Sequence, residues 1–149
     1  MASKTRILCL GTGNSCRSQM AEGWARHLLG GRVEAHSAGV DPGRLDPRAV
    51  TVMAEVGVDI SDHRSKSVSE LLELPLDLVV TVCDHAQETC PVFPGRTRVV
   101  HQGFEDPPRL AREAATEQEA LDLYRRVRDE IRIFVETLPD LLQQDRPSA

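Results

Sequence analysis

Four thiols, one arginine and one aspartate carry most of the chemistry open to this sequence. Cys9, Cys16, Cys83 and Cys90 are its only cysteines. Their spacing matches no zinc pattern of paired Cys-x-x-Cys units, so no metal site is expected. A 149-residue chain can bury its own core and does not need structural disulfides in a reducing compartment. Each cysteine is therefore either an inert core residue or a reactive group. Arg17 closes the run Gly11-Thr12-Gly13-Asn14-Ser15-Cys16-Arg17-Ser18. Two glycines and an asparagine let that backbone turn several N–H groups inward, and a following helix adds its positive N-terminus. The planar fork of Arg17 suits a tetrahedral oxyanion. The run is not the nucleotide P-loop, because no Gly-Lys-Ser/Thr follows. A plain strand-to-helix turn with a solvated arginine is the competing reading. Cys83 and Cys90 have six residues between them, in a polar stretch that could bring the thiols together or leave them unrelated. Asp106 precedes Pro107 and is either a proton donor or part of an ordinary Asp-Pro turn.

These groups need a scaffold. The apolar run 6–10 reads as a strand that ends in the loop, and Ser18 could cap a helix that Gly30-Gly31 stops. A second strand is expected at 32–37, and a helix from Pro47 to about Val56. A short helix near 68–74 precedes the strongest strand, 76–82, which is almost continuously apolar, as a central parallel strand should be. A fourth strand is expected at 97–101. Thr116-Glu117-Gln118-Glu119 matches a capping box, and apolar residues then recur at helical spacing as far as Leu138. Pro139 is expected to permit at most a kinked extension. This alternation predicts an α/β fold, a four-stranded parallel sheet flanked by helices on both faces, in one domain over 1–149. The loop 11–18 would then sit beyond the carboxyl end of a strand, where such folds bind ligands.

Composition narrows the partners. The chain is 40% hydrophobic and 28% charged, the balance of a folded globular protein. It has five aromatic residues, Trp24, Phe93, Phe104, Tyr124 and Phe134, too few for a base-stacking nucleic-acid surface. The net charge of -5 gives no general attraction for phosphate backbones or anionic membranes. No apolar run is long enough to span a bilayer, and the N-terminus lacks a signal-peptide stretch. A cytoplasmic protein without nucleic-acid or membrane partners is expected.

The motifs together resemble the thioredoxin-coupled arsenate reductases, which share the low-molecular-weight protein tyrosine phosphatase fold. The resemblance rests on Thr12-Gly13-Asn14-Ser15-Cys16-Arg17-Ser18-Gln19-Met20-Ala21-Glu22 and His36-Ser37-Ala38-Gly39. It extends through Gly57-Val58-Asp59-Ile60-Ser61, Val82-Cys83-Asp84, Cys90-Pro91 and His101-Gln102-Gly103-Phe104-Glu105-Asp106-Pro107, so it covers nearly the whole chain. It implies an oxyanion cradle at Thr12, Gly13, Asn14, Ser15, Cys16, Arg17 and Ser18, holding arsenate, phosphate or sulfate. It also implies a redox pair, Cys83 and Cys90, a general acid at Asp106, thioredoxin as reductant, and no cofactor. In the family, arsenate is held on a loop cysteine. The position matching Cys83 attacks that sulfur and releases arsenite, the position matching Cys90 attacks Cys83, and thioredoxin reduces the disulfide.

Two departures follow. The family nucleophile is the first residue of a Cys-x5-Arg loop, and counting back from Arg17 places Gly11 there. Cys9 lies two residues too early, inside the strand, and Cys16 matches a non-nucleophilic loop position. The resemblance thus implies an arsenate reductase lacking its first thiol. A non-catalytic oxyanion-binding protein and a low-molecular-weight phosphatase are the alternatives. Pro107, Pro108 and Arg109 follow Asp106 without a tyrosine pair, which favours a small oxyanion over phosphotyrosine. Some relatives bind potassium near residues matching Asn14, Glu22 and Ser37, with a carboxylate where this chain has Lys66. Lys66 brings its own positive charge, so no potassium is expected. A small compact domain is expected to be monomeric.

Overall fold

A computed structural model describes residues 4–84, 92–93 and 96–144. Its centre is a parallel sheet of β1 (Thr5–Gly11), β2 (Val33–Gly39), β3 (Leu78–Thr81) and β4 (Val99–His101), in the order β2-β1-β3-β4. The strand expected at 32–37 runs on to Gly39, because β1 and β2 stay in register to their ends, where Gly11 faces Gly39. The expected strand 76–82 contracts to the four residues that pair with β1 and β4.

β1 is buried on both faces, and its alternation divides the core. Ile7 and Cys9 join the larger cluster, with Trp24, Val52, Tyr124 and Ile131. Leu8 and Leu10 face the other way, against Ala38, Leu71, Val79 and Phe93. The first face is covered by α1 (Arg17–Leu29), α2 (Pro47–Glu55), α3 (Pro107–Ala111) and α4 (Glu117–Gln143). Among the described residues a 3-10 helix, Val68–Leu71, covers the second, where a helix to Leu74 was expected. Its start is fixed by Ser67, whose side chain accepts from the Ser69 N–H.

Helix ends follow local chemistry. Asp46 caps α2 by accepting from the Arg48 N–H, with Pro47 at the first position. Thr116 caps α4 by accepting from the Glu119 N–H. Glu119 reaches back to the N–H of Ala115 rather than Thr116, a displaced form of the expected capping box. The expected cap at Ser18 is corrected: α1 starts at Arg17 after Cys16, and Ser18 lies in its first turn, bonded to Asn14. α4 continues through Pro139 to Gln143. Proline removes one intrahelical bond there, while buried Leu138 and the core contacts of Leu141 and Leu142 keep the last turns on the sheet.

α4 is stitched to its neighbours by one buried side chain. Arg128 donates to the Val52 carbonyl at 3.0 Å and pairs with Glu55 at 2.9 Å, while Trp24 Nε1 donates to the Arg128 carbonyl at 3.1 Å. Arg128→Ala leaves the Val52 carbonyl without this charged donor. It is expected to lower unfolding free energy by about 2 to 3 kcal/mol in urea titrations. A loss below about 0.5 kcal/mol, the range of ordinary surface substitutions, would deny Arg128 this role.

Candidate oxyanion-binding site

A pocket of about 20 Å³ opens at the carboxyl end of β1. It is lined by residues 11–18 together with Val82 and Asp106. The loop's shape is set from outside. The carbonyls of Thr12, Gly13 and Ser15 accept from the N–H groups of Asp41, Gly43 and Asp46, each at 2.9 Å. The Asn14 carbonyl accepts from Gln19 Nε2 at 3.0 Å and Ser65 Oγ at 2.6 Å. Four successive carbonyls are thereby turned away from the pocket. Planar peptides then turn the intervening N–H groups toward it. Such a ring of donors, at the start of α1, is an anion cradle.

Asn14 holds this arrangement in a left-handed conformation, φ 51°, which asparagine tolerates better than most residues. Its side chain is buried and fully used. Oδ1 accepts from the Lys66 N–H at 3.0 Å and Gln19 Nε2 at 3.1 Å, and Nδ2 donates to Ser18 Oγ at 2.8 Å. Behind the loop, Gly39 leaves no room for a side chain. A Cβ there would lie 2.5 Å from the Thr12 carbonyl oxygen and 3.0 Å from the Asn14 nitrogen.

Arg17 is 8% exposed and reaches across the sheet edge. Its Nη1 donates to the Phe104 carbonyl at 2.9 Å, and its Nη2 lies 3.7 Å from Asp106 Oδ1. Asp106 precedes α3, a helix not anticipated from the sequence, where Pro107 occupies the first position. The structure thus brings Arg17 and Asp106 to one pocket with the loop 11–18.

Beneath α1, Glu22 is 2% exposed. It accepts from Ser37 Oγ at 2.6 Å and pairs with Arg26 at 2.8 Å. Lys66 Nζ lies 3.9 Å from it and His63 Nε2 lies 3.7 Å from it. Burial pushes the pKa values of His63 and Lys66 down, and the Glu22 carboxylate opposes the shift. No group of three or more His, Cys, Asp or Glu side chains suited to a metal ion occurs among the described residues.

The thiols divide sharply. Cys9 and Cys16 are free and 3% exposed. Burial, with a smaller contribution from Glu22, raises the Cys9 pKa to about 12. Burial followed by Asp46 and Asp106 pushes Cys16 well above the ordinary thiol value, outweighing Arg17. Cys83 follows β3 by two residues, is buried and is held in a disulfide. Cys90 lies outside the described residues. Sequence reading had not found the segment 41–46 or the acceptor at Phe104. Both act through backbone groups, which carry no residue-type signal.

Residues 6–148 match the low molecular weight phosphotyrosine protein phosphatase family. The arsenate reductase of Halalkalibacterium halodurans is 44% identical over 138 residues, 93% of this chain and 97% of that protein. That of Bacillus subtilis is 47% identical over 125 residues, 84% of this chain and 88% of the relative. A solved structure of an arsenate reductase in the phosphate binding state superposes with TM-score 0.72 at 28% identity. It covers 95% of this chain and 99% of its own. The low molecular weight protein tyrosine phosphatase of T. tengcongensis gives TM-score 0.69 at 29% identity, over 92% of this chain and 99% of that one.

Two outcomes follow from the geometry. Gly39→Ala forces the loop off β2 and is expected to weaken phosphate binding by about tenfold or more, roughly 1.4 kcal/mol, in calorimetric titration. Unchanged affinity would remove Gly39 from the support of the loop. At pH 8, Cys9 and Cys16 stay protonated in the folded protein, so neither should be alkylated by iodoacetamide until denaturant is added. Peptide mass spectrometry reads this, and rapid native labelling of Cys16 would contradict its burial.

Proposed function

The chain belongs to the arsenate reductase family with the low-molecular-weight phosphatase fold, and on that premise we propose that it is an arsenate reductase-like protein whose loop nucleophile is replaced by Gly11. The carrying observation is the ring of four outward-turned carbonyls with Arg17 beside it. Nothing else in so small a pocket needs that many inward N–H groups except an anion. Thr12, Gly13, Asn14, Ser15, Cys16, Arg17 and Ser18 hold arsenate, phosphate or sulfate. Asp106 donates a proton to a departing oxygen, since it lines the same pocket.

The family's relay assigns Cys83 as the thiol that attacks sulfur and releases arsenite, and Cys90 as the thiol that closes the disulfide. A disulfide at Cys83, with Cys9 and Cys16 free, supports that pairing. Thioredoxin serves as reductant. Residues 1–149 act as one monomeric cytoplasmic domain. Consistently, no helix among the described residues is long and apolar enough to cross a membrane. Lys66 supplies to Glu22 the charge that potassium supplies in some relatives, and no cofactor is used.

Gly11 stops the first covalent step. Cys16 cannot replace the missing thiolate, because its pKa is pushed up, and Cys9 points into the core. A phosphatase reading meets the same obstacle. Binding is a different matter. A thiolate about 4 Å from an anion costs roughly 4 kcal/mol per unit charge at an effective dielectric near 20, and Gly11 removes that repulsion. The chain as it stands is therefore an oxyanion binder with stalled chemistry.

Arsenite production from arsenate with reduced thioredoxin tests the reading. The parent should fall short of Gly11→Cys by several orders of magnitude, since removal of a covalent nucleophile costs on the order of 10⁶-fold in a protease. The variant fits sterically, as a Cβ on Gly11 meets nothing closer than Ser18 Oγ at 3.3 Å. Equal rates in parent and variant would overturn the assignment of Gly11.

A further inference from the structure

The floor of the pocket has room for an atom that the chain does not supply. A Cβ on Gly11 would lie 3.3 Å from Ser18 Oγ, 3.6 Å from Ser18 Cβ and 3.9 Å from Val82 Cγ2. Two of these three neighbours are carbon. The third is a hydroxyl that already accepts from Asn14 Nδ2 at 2.8 Å, which orients its own hydrogen toward another acceptor. An oxyanion oxygen placed against Gly11 would exchange water for two carbons and one donor, a poor environment for a charged oxygen. Sulfur is larger, more polarizable and a weaker acceptor, so the same surroundings suit it.

We propose that the pocket takes an oxyanion in which one oxygen is replaced by sulfur, a monothioarsenate or a monothiophosphate. The sulfur sits against Gly11 between Ser18 and Val82, and the oxygens take the loop N–H groups and Arg17. This rests on the reading of residues 11–18 as an oxyanion cradle and names its substrate class.

With a monothioarsenate the reaction balances without a nucleophile at residue 11, because the arsenic–sulfur bond already exists. The Cys83 thiolate attacks that sulfur. The sulfur–arsenic bond breaks, its electron pair stays on arsenic, and arsenite leaves, so Cys83 carries a persulfide. The Cys90 thiolate then attacks the Cys83 sulfur, hydrosulfide leaves with the released electron pair, and a disulfide joins the two cysteines. Arsenic gains the two electrons that the two thiols lose. Reduced thioredoxin returns the pair to thiols.

Calorimetric titration of the reduced chain with monothiophosphate and with phosphate tests the site. The parent should bind monothiophosphate about tenfold tighter or more, which is roughly 1.4 kcal/mol. Gly11→Ala fills the space and should bring the ratio to about one while phosphate affinity changes by less than about threefold. Val82→Thr replaces a methyl with a hydroxyl beside the same space and should also lower the ratio, so the test survives if the alanine variant does not fold. Phosphate binding without a preference for sulfur in the parent overturns this inference alone. A preference that persists in both variants overturns the placement at Gly11. Failure of both anions to bind at millimolar concentration overturns the oxyanion reading itself. Monothioarsenate should yield arsenite with thioredoxin where arsenate does not, and Cys83→Ser should abolish it. No arsenite above the protein-free rate would overturn the reaction.

Discussion

Everything at the site depends on the direction of four carbonyl groups. Residues 12–15 could turn either edge of their peptides toward the pocket. They turn the N–H edge inward because Asp41, Gly43, Asp46, Gln19 and Ser65 occupy the carbonyls from behind. A reversed peptide would lose its rear partner and present an acceptor to an anion. Arg17 adds charge to a cradle that the backbone has already aimed, and Asn14 joins the two by bonding Lys66, Gln19 and Ser18 at once.

The second layer is electrostatic. Glu22 is buried among Ser37, Arg26, His63 and Lys66, directly below the helix that begins at Arg17. A buried carboxylate is tolerable only when paired and hydrogen-bonded, and this one is. Lys66 serves twice, since its backbone N–H fixes Asn14 while its ammonium faces Glu22. The charge that balances Glu22 and the bond that shapes the loop thus belong to one residue. The thiols obey the same physics in reverse. Cys9 and Cys16 lie where a negative charge would be desolvated, and both stay neutral.

Much of this was readable from residue types. The loop 11–18 declared itself by two glycines, an asparagine and an arginine. The strand order of an alternating fold and the apolar run around Val80 placed that loop at a carboxyl edge. Elements that rest on tertiary context were less legible. Ser18 has a capping side chain but spends it on Asn14, so the helix starts a residue earlier. Pro107-Pro108 looks like a turn in isolation and proves to be the start of α3. Pro139 should end a helix, yet α4 continues because its last turns are held by packing. The rear supports of the loop are backbone N–H groups, which any residue but proline provides.

Those supports come from far along the chain. Arg17 and Phe104 are 87 residues apart, Asn14 and Lys66 are 52 apart, and Gln19 and Arg64 are 45 apart. No fragment of the chain can close the cradle, so it exists only once the sheet, the 41–46 segment and the stretch before α3 have assembled. Unfolded chains have nothing with which to recognise the same anion. Occupancy of the cradle is therefore linked to the folding equilibrium of the whole molecule, and a saturating ligand at a hundred times its dissociation constant adds about 2.7 kcal/mol to global stability. Even without turnover, the loop makes the lifetime of the folded chain a function of the oxyanions around it.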